Sequence, residues 1–199
     1  MAGTVLSREF YSRNVQTVAR QLIGMLLVTR LQGKRVSGVI VETEAYLSAR
    51  DPASHGFLGA TKKNASMFGP AGIAYVYPIH AKFCFNVVTE MEGSPSAVLI
   101  RAIQPVEGID AMSIRRRTSD ILNLASGPSR LCQALGIDRD CDGVKLYARR
   151  KIWLETSSMI GTGFSIRTTP RIGVTSAKTK LLRFVAAGSP FASGPKRWR

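Results

Sequence analysis

Two carboxylates separated by one residue close the most apolar, β-branched run of the chain, Val39-Ile40-Val41-Glu42-Thr43-Glu44-Ala45-Tyr46. Successive side chains of a strand point to opposite faces, so Ile40, Glu42 and Glu44 are expected to share one face. The opposite face would then carry Val39, Val41 and Thr43. Such a strand delivers an acid to the rim of a sheet. Like charges this close raise each other's pKa, so at least one acid needs a cationic partner. On this run alone, the alternative is a strand that ends in solvated charge.

The elements before and within this run predict how the acids are held. Met25 to Arg30 and Val36 to Glu44 are two β-rich runs that predict a hairpin. Ahead of them, Asn14 to Ile23 has apolar side chains at helical spacing, with Asn14 as the N-cap and Gly24 as the stop. The acids therefore lie at the far end of a hairpin strand that a helix can cover.

Polar side chains recur where later strands are expected to end. Three further buried strands are predicted at Tyr75 to Tyr77, Phe83 to Val88 and Ala97 to Ala102. The second carries Asn86 and the third carries Arg101 near its end. Residues 47–70 form a long polar, Gly- and Ser-rich stretch, and a loop of this length inside a domain is usually functional or disordered.

The second half of the chain predicts two helices and several short strands. Val106 to Arg117 has a basic last turn, the helix end that favours cations. Ser126 to Gly136 predicts a short helix whose N-terminus is suited to a phosphate, with Ser129 and Arg130 as the residues expected to contact it. The strand candidates are Ile152 to Leu154, Phe164 to Arg167, Arg171 to Val174 and Leu182 to Val185. Without a repeat or a linker, residues 1–199 are expected to form one mixed α/β domain with a basic C-terminal tail from about 188.

Composition excludes several classes of protein. At 199 residues and 45% hydrophobic content the chain can bury a substantial core, and no run approaches the ~18 apolar residues of a membrane span. No secretory signal is apparent, so we expect a soluble, intracellular protein without a membrane partner. Three cysteines without a C-x-x-C pair and two histidines argue against disulfides and a zinc site, so neither a metal nor a cofactor is expected.

The formal charge of +15 is the strongest compositional signal. Residues 101–199 carry eighteen Lys and Arg against seven acids, whereas residues 1–100 carry ten against six. A field of this sign attracts polyanions, and nucleic acid is the commonest polyanion inside a cell. A basic protein kept soluble by its charge, or a ribosome-associated one, has the same composition.

Several blocks, taken together and in order, resemble the alkyladenine (3-methyladenine) DNA glycosylase family. They cover nearly the whole chain and are Val41 to Tyr46, Met67-Phe68, Gly72 to Tyr77, Phe83 to Asn86, Leu99 to Ala102, Ser126 to Leu135, Arg171 to Val174 and Gly188 to Pro190. The resemblance implies a mixed α/β (α+β) fold with a curved antiparallel β-sheet core and surrounding helices, without a helix-hairpin-helix. It implies a monomeric enzyme of base excision repair that removes alkylated or deaminated purines from duplex DNA without a metal. Its location would be the cytoplasm or nucleoid of a bacterium, or the nucleus of a eukaryote.

The resemblance also implies a role for individual residues. Glu44 matches the acid that activates the attacking water, Arg101 the arginine that helps to hold this water, and Ile172 the position whose main chain contacts it. Glu42, on the same face as Glu44, is expected to be structural or to orient the catalytic acid.

A second group matches the residues around the flipped base. Tyr46 and His55 match the pair that sandwiches the base, Tyr77 packs on it, and Asn86 matches a steric gate beside the purine 2-position. The intercalating wedge falls at His80 or Ile79, because the segment from Pro78 to Lys82 is one residue shorter than the family pattern. Without the resemblance, half-buried tyrosines, a surface histidine and an arginine that only neutralises Glu42 would account for these residues equally well.

The expected chemistry fits these residue types. An alkylated purine is cationic, so electron-rich rings favour it by ~1 to 2 kcal/mol once it is desolvated. Because it is already a good leaving group, a single general base suffices, whereas a neutral base such as hypoxanthine must be protonated as it leaves. Two rival hypotheses remain: a basic RNA-binding or ribosome-associated module without catalysis, and an enzyme of the same fold whose pocket has changed substrate.

Overall fold

The strand that carries the two acids is the centre of the fold. A computed structural model describes residues 3–31, 33–48, 50–157 and 165–195. The strands of this described part are β1 (Leu26–Leu31), β2 (Lys34–Tyr46), β3 (Ala74–Ile79), β4 (Lys82–Thr89), β5 (Ser96–Glu107), β6 (Ile152–Glu155), β7 (Ile166–Thr169) and β8 (Arg183–Ala186). They form one curled antiparallel sheet in the order β3-β4-β5-β2-β1-β6, and β8 joins β7 to β2. The predicted mixed α/β single domain with a curved antiparallel sheet is confirmed.

β2 changes its neighbour halfway along. On one side it pairs with β5 along almost its full length, from Ser37 to Tyr46. On the other side it pairs with β1 through Val39 and with β8 from Glu42 to Glu44. The predicted hairpin of β1 and β2 is therefore confirmed, and the acids lie beyond it, where β8 has replaced β1.

A bulge in β2 interrupts the alternation of side chains that the sequence predicted. The register with β5 shifts on both sides of Glu42. Ile40 and Val41 consequently both pack into the main core, whereas Val39 packs with Trp153 in a separate cluster. The placement of Ile40 on the acid face was wrong, because an irregular β pairing breaks the two-residue period. Beyond the bulge the alternation resumes.

Four α-helices of the described part cover the sheet: α1 (Arg8–Tyr11), α2 (Val15–Gln21), α3 (Ile109–Arg116) and α4 (Pro128–Leu135). α2 begins at the predicted N-cap, where the Asn14 side chain accepts hydrogen bonds from the N–H groups of Gln16 and Thr17. It lies on β2, and the Thr43 hydroxyl donates to the carbonyl of Ala19 over 2.9 Å. Thr43 therefore faces the helix layer, and the acids on either side of it face the other way.

Two stretches near the C-terminus differ from their predicted structure. Arg171 to Val174 is an irregular segment between β7 and β8, because Pro170 precedes it and Gly173 has a φ of 79°. Residues 188–195 belong to the packed body of the protein, with Ala192 fully buried, and are not a tail. Residues 196–199 of the predicted tail, and Phe164 of the predicted strand, lie outside the described residues.

Candidate active site

The acids of β2 converge on one buried arginine of β5. Arg101 Nε donates to Glu42 Oε1 over 2.8 Å, and Arg101 Nη1 donates to Glu44 Oε2 over 3.2 Å. Both carboxylates are fully buried, and Arg101 is 7% exposed. Burial would lower the pKa of Arg101, but the charges of Glu44 and Glu42 raise it above its ordinary value, so the guanidinium stays charged. Each acid thus has the cationic partner that the sequence required.

Glu42 is fully enclosed by donors. Besides Arg101, its Oε1 accepts from Arg183 Nε over 2.7 Å and from Ser193 Oγ over 2.9 Å, and its Oε2 accepts from the Ser193 N–H over 2.6 Å. Burial alone would raise the pKa of Glu42, but the charges of Arg101 and Arg183 lower it below its ordinary value. Glu42 is therefore an ionised structural acid that ties β2, β5, β8 and the 188–195 segment together.

Glu44 has a different set of partners. Its Oε1 accepts from the main-chain N–H of Ile172 over 2.7 Å, and its Oε2 accepts from the Tyr46 hydroxyl over 2.9 Å as well as from Arg101. Arg101 Nη1 also lies 3.5 Å from the carbonyl oxygen of Ile172. The three residues assigned to water activation, Glu44, Arg101 and Ile172, therefore meet at one point.

An aromatic cavity of about 350 Å³ opens beside this point, a size typical of small-molecule sites. Its walls include Tyr46, His55, Met67, Tyr75, Tyr77 and Asn86. The rings of His55 and Tyr77 meet edge to face, with centroids 4.5 Å apart. The structure thus brings together all four residues predicted to surround a base, and it adds Tyr75, which the sequence motif contained without an assigned role.

Hydrogen bonds fix the orientation of the polar groups in the cavity wall. His55 Nδ1 lies 2.9 Å from the Tyr75 hydroxyl, and Asn86 Nδ2 donates to the carbonyl of Tyr75 over 3.0 Å. His55 is exposed at the mouth of the cavity, yet the protein around it removes enough water to lower its pKa below the ordinary value. Burial raises the pKa of both Tyr46 and Tyr77. Near neutral pH all of these rings are uncharged.

The predicted wedge and phosphate residues lie on a neighbouring surface. Ile79 and His80 are at the tip of the hairpin of β3 and β4, whose two-residue turn has positive φ at His80 (44°) and Ala81 (60°). Ile79 is 40% exposed and reaches the aromatic cavity. Both residues also border a depression of about 370 Å³ that Ser129 and Arg130 line from the start of α4. The structure brings these four residues together without distinguishing between the two wedge candidates.

The sequence did not assign a role to the residues that hold the site from behind. Asp51 and Arg171 form a buried bidentate ion pair, and Arg183 and Ser193 enclose Glu42. Two signals were available: Asp51 lies in the polar loop after β2, and Arg171 opens one of the motif blocks. Within the described residues, no group of three or more His, Cys, Asp and Glu side chains is placed to hold a metal ion. Nor does a helix of this part have the length and apolar character needed to cross a membrane.

A buried acid and arginine lie beside an aromatic cavity whose size and walls suit a flat, aromatic group. The comparisons with known proteins identify the class: the family model described as methylpurine-DNA glycosylase matches residues 9–190. The chain belongs to this family and is a DNA glycosylase, an enzyme of DNA repair. The resemblance seen in the sequence motifs is confirmed.

Curated relatives agree with the family assignment, and each bears the name "Putative 3-methyladenine DNA glycosylase". A protein of Rhodopirellula baltica is 50% identical over 194 residues, which cover 95% of this chain and 83% of the relative. One from Methanoculleus marisnigri is 47% identical, covering 94% of this chain and 98% of the relative. One from Rhodopseudomonas palustris is also 47% identical, covering 97% and 92%.

Proposed function

We propose that the protein excises 3-methyladenine and related alkylated purines from duplex DNA as a monomer, by hydrolysis of the N-glycosidic bond. Neutral lesions such as hypoxanthine and ethenoadenine are slower substrates of the same site. The relatives' name supports the lesion class. The meeting of Glu44, Arg101 and Ile172 beside the aromatic cavity is the observation that carries the proposal.

The base must leave the duplex to reach this cavity. Flipping a nucleotide costs a few kcal/mol, which stacking in the pocket and phosphate contacts offset. Tyr46 and His55 provide the stacking faces, Tyr77 packs on the base, and Asn86 limits the space beside the purine 2-position. Ser129 and Arg130 hold the DNA backbone, and Ile79 or His80 fills the gap that the base leaves.

The neutral state of the pocket favours an alkylated purine. A cationic base gains from electron-rich rings, and a protonated histidine at the mouth would repel it. Since the surroundings lower the pKa of His55, the imidazole is neutral near pH 7. The pocket therefore prefers a cationic base without carrying a negative charge of its own.

Glu44 acts as the general base. Among the described contacts, Oε2 accepts two hydrogen bonds and Oε1 accepts one, so Oε1 retains an acceptor position for the attacking water. Arg101 Nη1 and the Ile172 carbonyl, already close to each other, orient this water. The carboxylate takes the proton while the water oxygen bonds to C1′ and the cationic purine leaves as a neutral base. General-base catalysis of this type contributes roughly 10²- to 10⁴-fold.

The mechanism is monofunctional because water is the nucleophile. No lysine is found among the described residues that line the cavity, so none of these residues offers an amine for a Schiff base with the sugar. The test is incubation with alkylated duplex DNA, with chromatography of the released bases and borohydride added to a parallel sample. We expect free 3-methyladenine and an uncleaved abasic strand. A covalent adduct trapped in good yield would contradict the water mechanism, and salt-sensitive binding without base release would favour a binding module.

A further inference from the structure

A buried ion pair lies directly behind the aromatic cavity. Arg171 Nη1 donates to Asp51 Oδ2 over 2.5 Å, and Arg171 Nη2 donates to Asp51 Oδ1 over 2.8 Å. Both side chains are fully buried. The Asp51 carboxylate also accepts from the N–H groups of Leu47 and Ala53, which fixes the first turn of the loop that leads to His55. A charged pair with this many bonds is held in one geometry.

The guanidinium of this pair covers one face of Tyr46. Arg171 Cζ lies 4.7 Å from the centroid of the Tyr46 ring, and Arg171 Nη1 also donates to the carbonyl of Ala45 over 3.1 Å. Tyr46 lines the cavity and Arg171 does not. The guanidinium therefore lies against the face of Tyr46 that is turned away from the cavity, so the ring separates it from any base stacked on the other face.

We propose that Asp51 is a specificity-determining residue: by neutralising Arg171 behind Tyr46, it allows the pocket to accept a cationic purine. This inference rests on the proposed function, since it concerns which purines that site excises. Asp51 acts through Arg171 and Tyr46 without touching the base, so it is a positioning residue in this reaction.

The physical argument concerns the sign of a buried charge. A guanidinium without Asp51 would stand one ring thickness behind the base, and it would both repel a positive base and draw electron density from the stacking face of Tyr46. At a separation of roughly 8 to 10 Å and an effective dielectric of about 20, the repulsion amounts to roughly 15- to 35-fold in the stability of the bound cation. A neutral purine does not feel this repulsion. Any effect of the uncompensated charge on Glu44 applies to both kinds of base, because both use the same catalytic acid.

The test compares the excision of a cationic and a neutral base by the full chain. Single-turnover rates are measured on one duplex sequence that carries either a single 7-methylguanine, which is cationic, or a single hypoxanthine, which is neutral. Where excision of the neutral base is slow, equilibrium binding of the same duplexes in a Glu44→Gln background gives the ratio. For Asp51→Asn, which keeps the side-chain size and the acceptor oxygen, we expect the cationic-to-neutral ratio to fall roughly 15- to 35-fold.

Two further variants separate charge from structure. Asp51→Asn combined with Arg171→Gln removes both charges, and we expect its ratio to return to within about threefold of the unmodified protein. Glu155→Gln is the matched control: Glu155 is fully buried, pairs with Arg35 and Arg149, and lies on β6 at the end of the sheet opposite β3. It removes a buried carboxylate from beside Arg35 and Arg149, far from the cavity, so the ratio should stay unchanged.

An equal loss of both rates in Asp51→Asn, or a ratio that stays low in the doubly neutral variant, would overturn the inference and leave a structural role only. If Asp51→Asn does not fold, the doubly neutral variant alone decides, since a lowered ratio there contradicts the proposal. Failure of the proposed function looks different, because then the unmodified protein releases neither base.

Discussion

Glu42 and Glu44 stand two residues apart on one strand, are equally buried and share Arg101, yet their surroundings differ. The four contacts of Glu42 come from Arg101, Arg183 and Ser193, and none of these residues lines the aromatic cavity. One contact of Glu44 comes from Tyr46, which forms a wall of that cavity. Burial and an arginine are therefore common to both sites. What distinguishes Glu44, the acid that we propose as the general base, is its hydrogen bond to a residue of the cavity wall and the acceptor position that the proposal assigns to water.

The comparison also explains why the two acids tolerate each other. Glu42 and Glu44 carry two negative charges, and Arg101 and Arg183 return two positive ones within hydrogen-bonding distance. A buried group of charges persists only when it is paired and bonded in this way. Glu42 thus maintains the position and charge of Arg101, on which Glu44 depends.

The sharpest test of the comparison is Glu44→Gln. Loss of the general base should lower single-turnover excision by roughly 10²- to 10⁴-fold. The glutamine amide also disturbs the local hydrogen bonds. All three hydrogen-bonding neighbours of Glu44 are donors, so the NH₂ group of the glutamine must face one of them. Tyr46 is one of these donors, so we expect binding of lesion-bearing duplex to change several-fold, far less than the rate. Thermal unfolding serves as the control, and near-normal excision would show that Glu44 is not the base.

Glu42→Gln should lower the stability of the protein more than its rate of excision, the reverse of Glu44→Gln. It leaves the guanidinium groups of Arg101 and Arg183 without their shared carboxylate, and breaking a buried pair costs about 3 kcal/mol or more. Urea unfolding should show this loss, while single-turnover excision at a temperature where the variant is folded falls by no more than about tenfold. If Glu42→Gln damages the chemical step more than Glu44→Gln, the roles of the two acids must be exchanged.

Lowering the pH should reduce the stability that the ion pairs of Glu42 and Asp51 contribute. The native pKa of Glu42 is lowered by Arg101 and Arg183 against the effect of burial, and that of Asp51 is lowered by Arg171 against the same effect. The unfolded chain then binds more protons than the native one, so this stability is complete above about pH 5 and is lost as the pH falls below about 4. Unfolding between pH 6 and 3 should be steeper in the unmodified protein than in Glu42→Gln. Equal slopes would mean that Glu42 contributes nothing to this dependence.

The smallest expected effect is that of Tyr46→Phe. The ring that we propose to stack on the base remains, and only the hydrogen bond from the Tyr46 hydroxyl to Glu44 is lost. A bond to a charged group contributes about 1.5 to 3 kcal/mol, but this bond is present before the reaction as well as in the transition state. Only part of its energy therefore affects the rate, and we expect excision to fall about three- to tenfold with binding unchanged. Tyr75→Phe is the matched control, because the Tyr75 hydroxyl bonds to His55 and not to Glu44. A larger loss in the control would place the important hydroxyl at the mouth of the cavity.

Local sequence was sufficient for the elements and for part of the site. The capped helix α2 and the hairpin of β1 and β2 follow from side-chain periodicity and capping, and Glu44 lies near the end of β2 as predicted. Arg101, which the sequence placed near the end of a strand, lies in the middle of β5, because that strand continues to Glu107. The bulge at Glu42 was not predictable, because no Gly or Pro marks it in Val39 to Tyr46. It follows from the pairing of β2 with β5.

The residues that support the site from behind could not be predicted from local sequence, because their partners are distant along the chain. Ser193 contacts Glu42 across 151 residues of chain, and Arg171 contacts Asp51 across 120. Both lie in irregular segments whose conformation is set by these distant partners, so a strand pattern at Arg171 to Val174 and a basic composition near the C-terminus gave the wrong structures. The family resemblance located Ile172 but not the ion pair beside it.

The long separation between Ser193 and Glu42 also determines when the acid cluster can be completed. Contacts of such high sequence separation form late in folding, after hairpins and helices, because closing a long loop costs more entropy. At a synthesis rate of about 5 to 20 residues per second, roughly 8 to 30 seconds pass between the synthesis of Glu42 and that of Ser193. A nascent chain that ends before Ser193 therefore lacks a partner that completes the acid cluster, and we expect it not to excise bases.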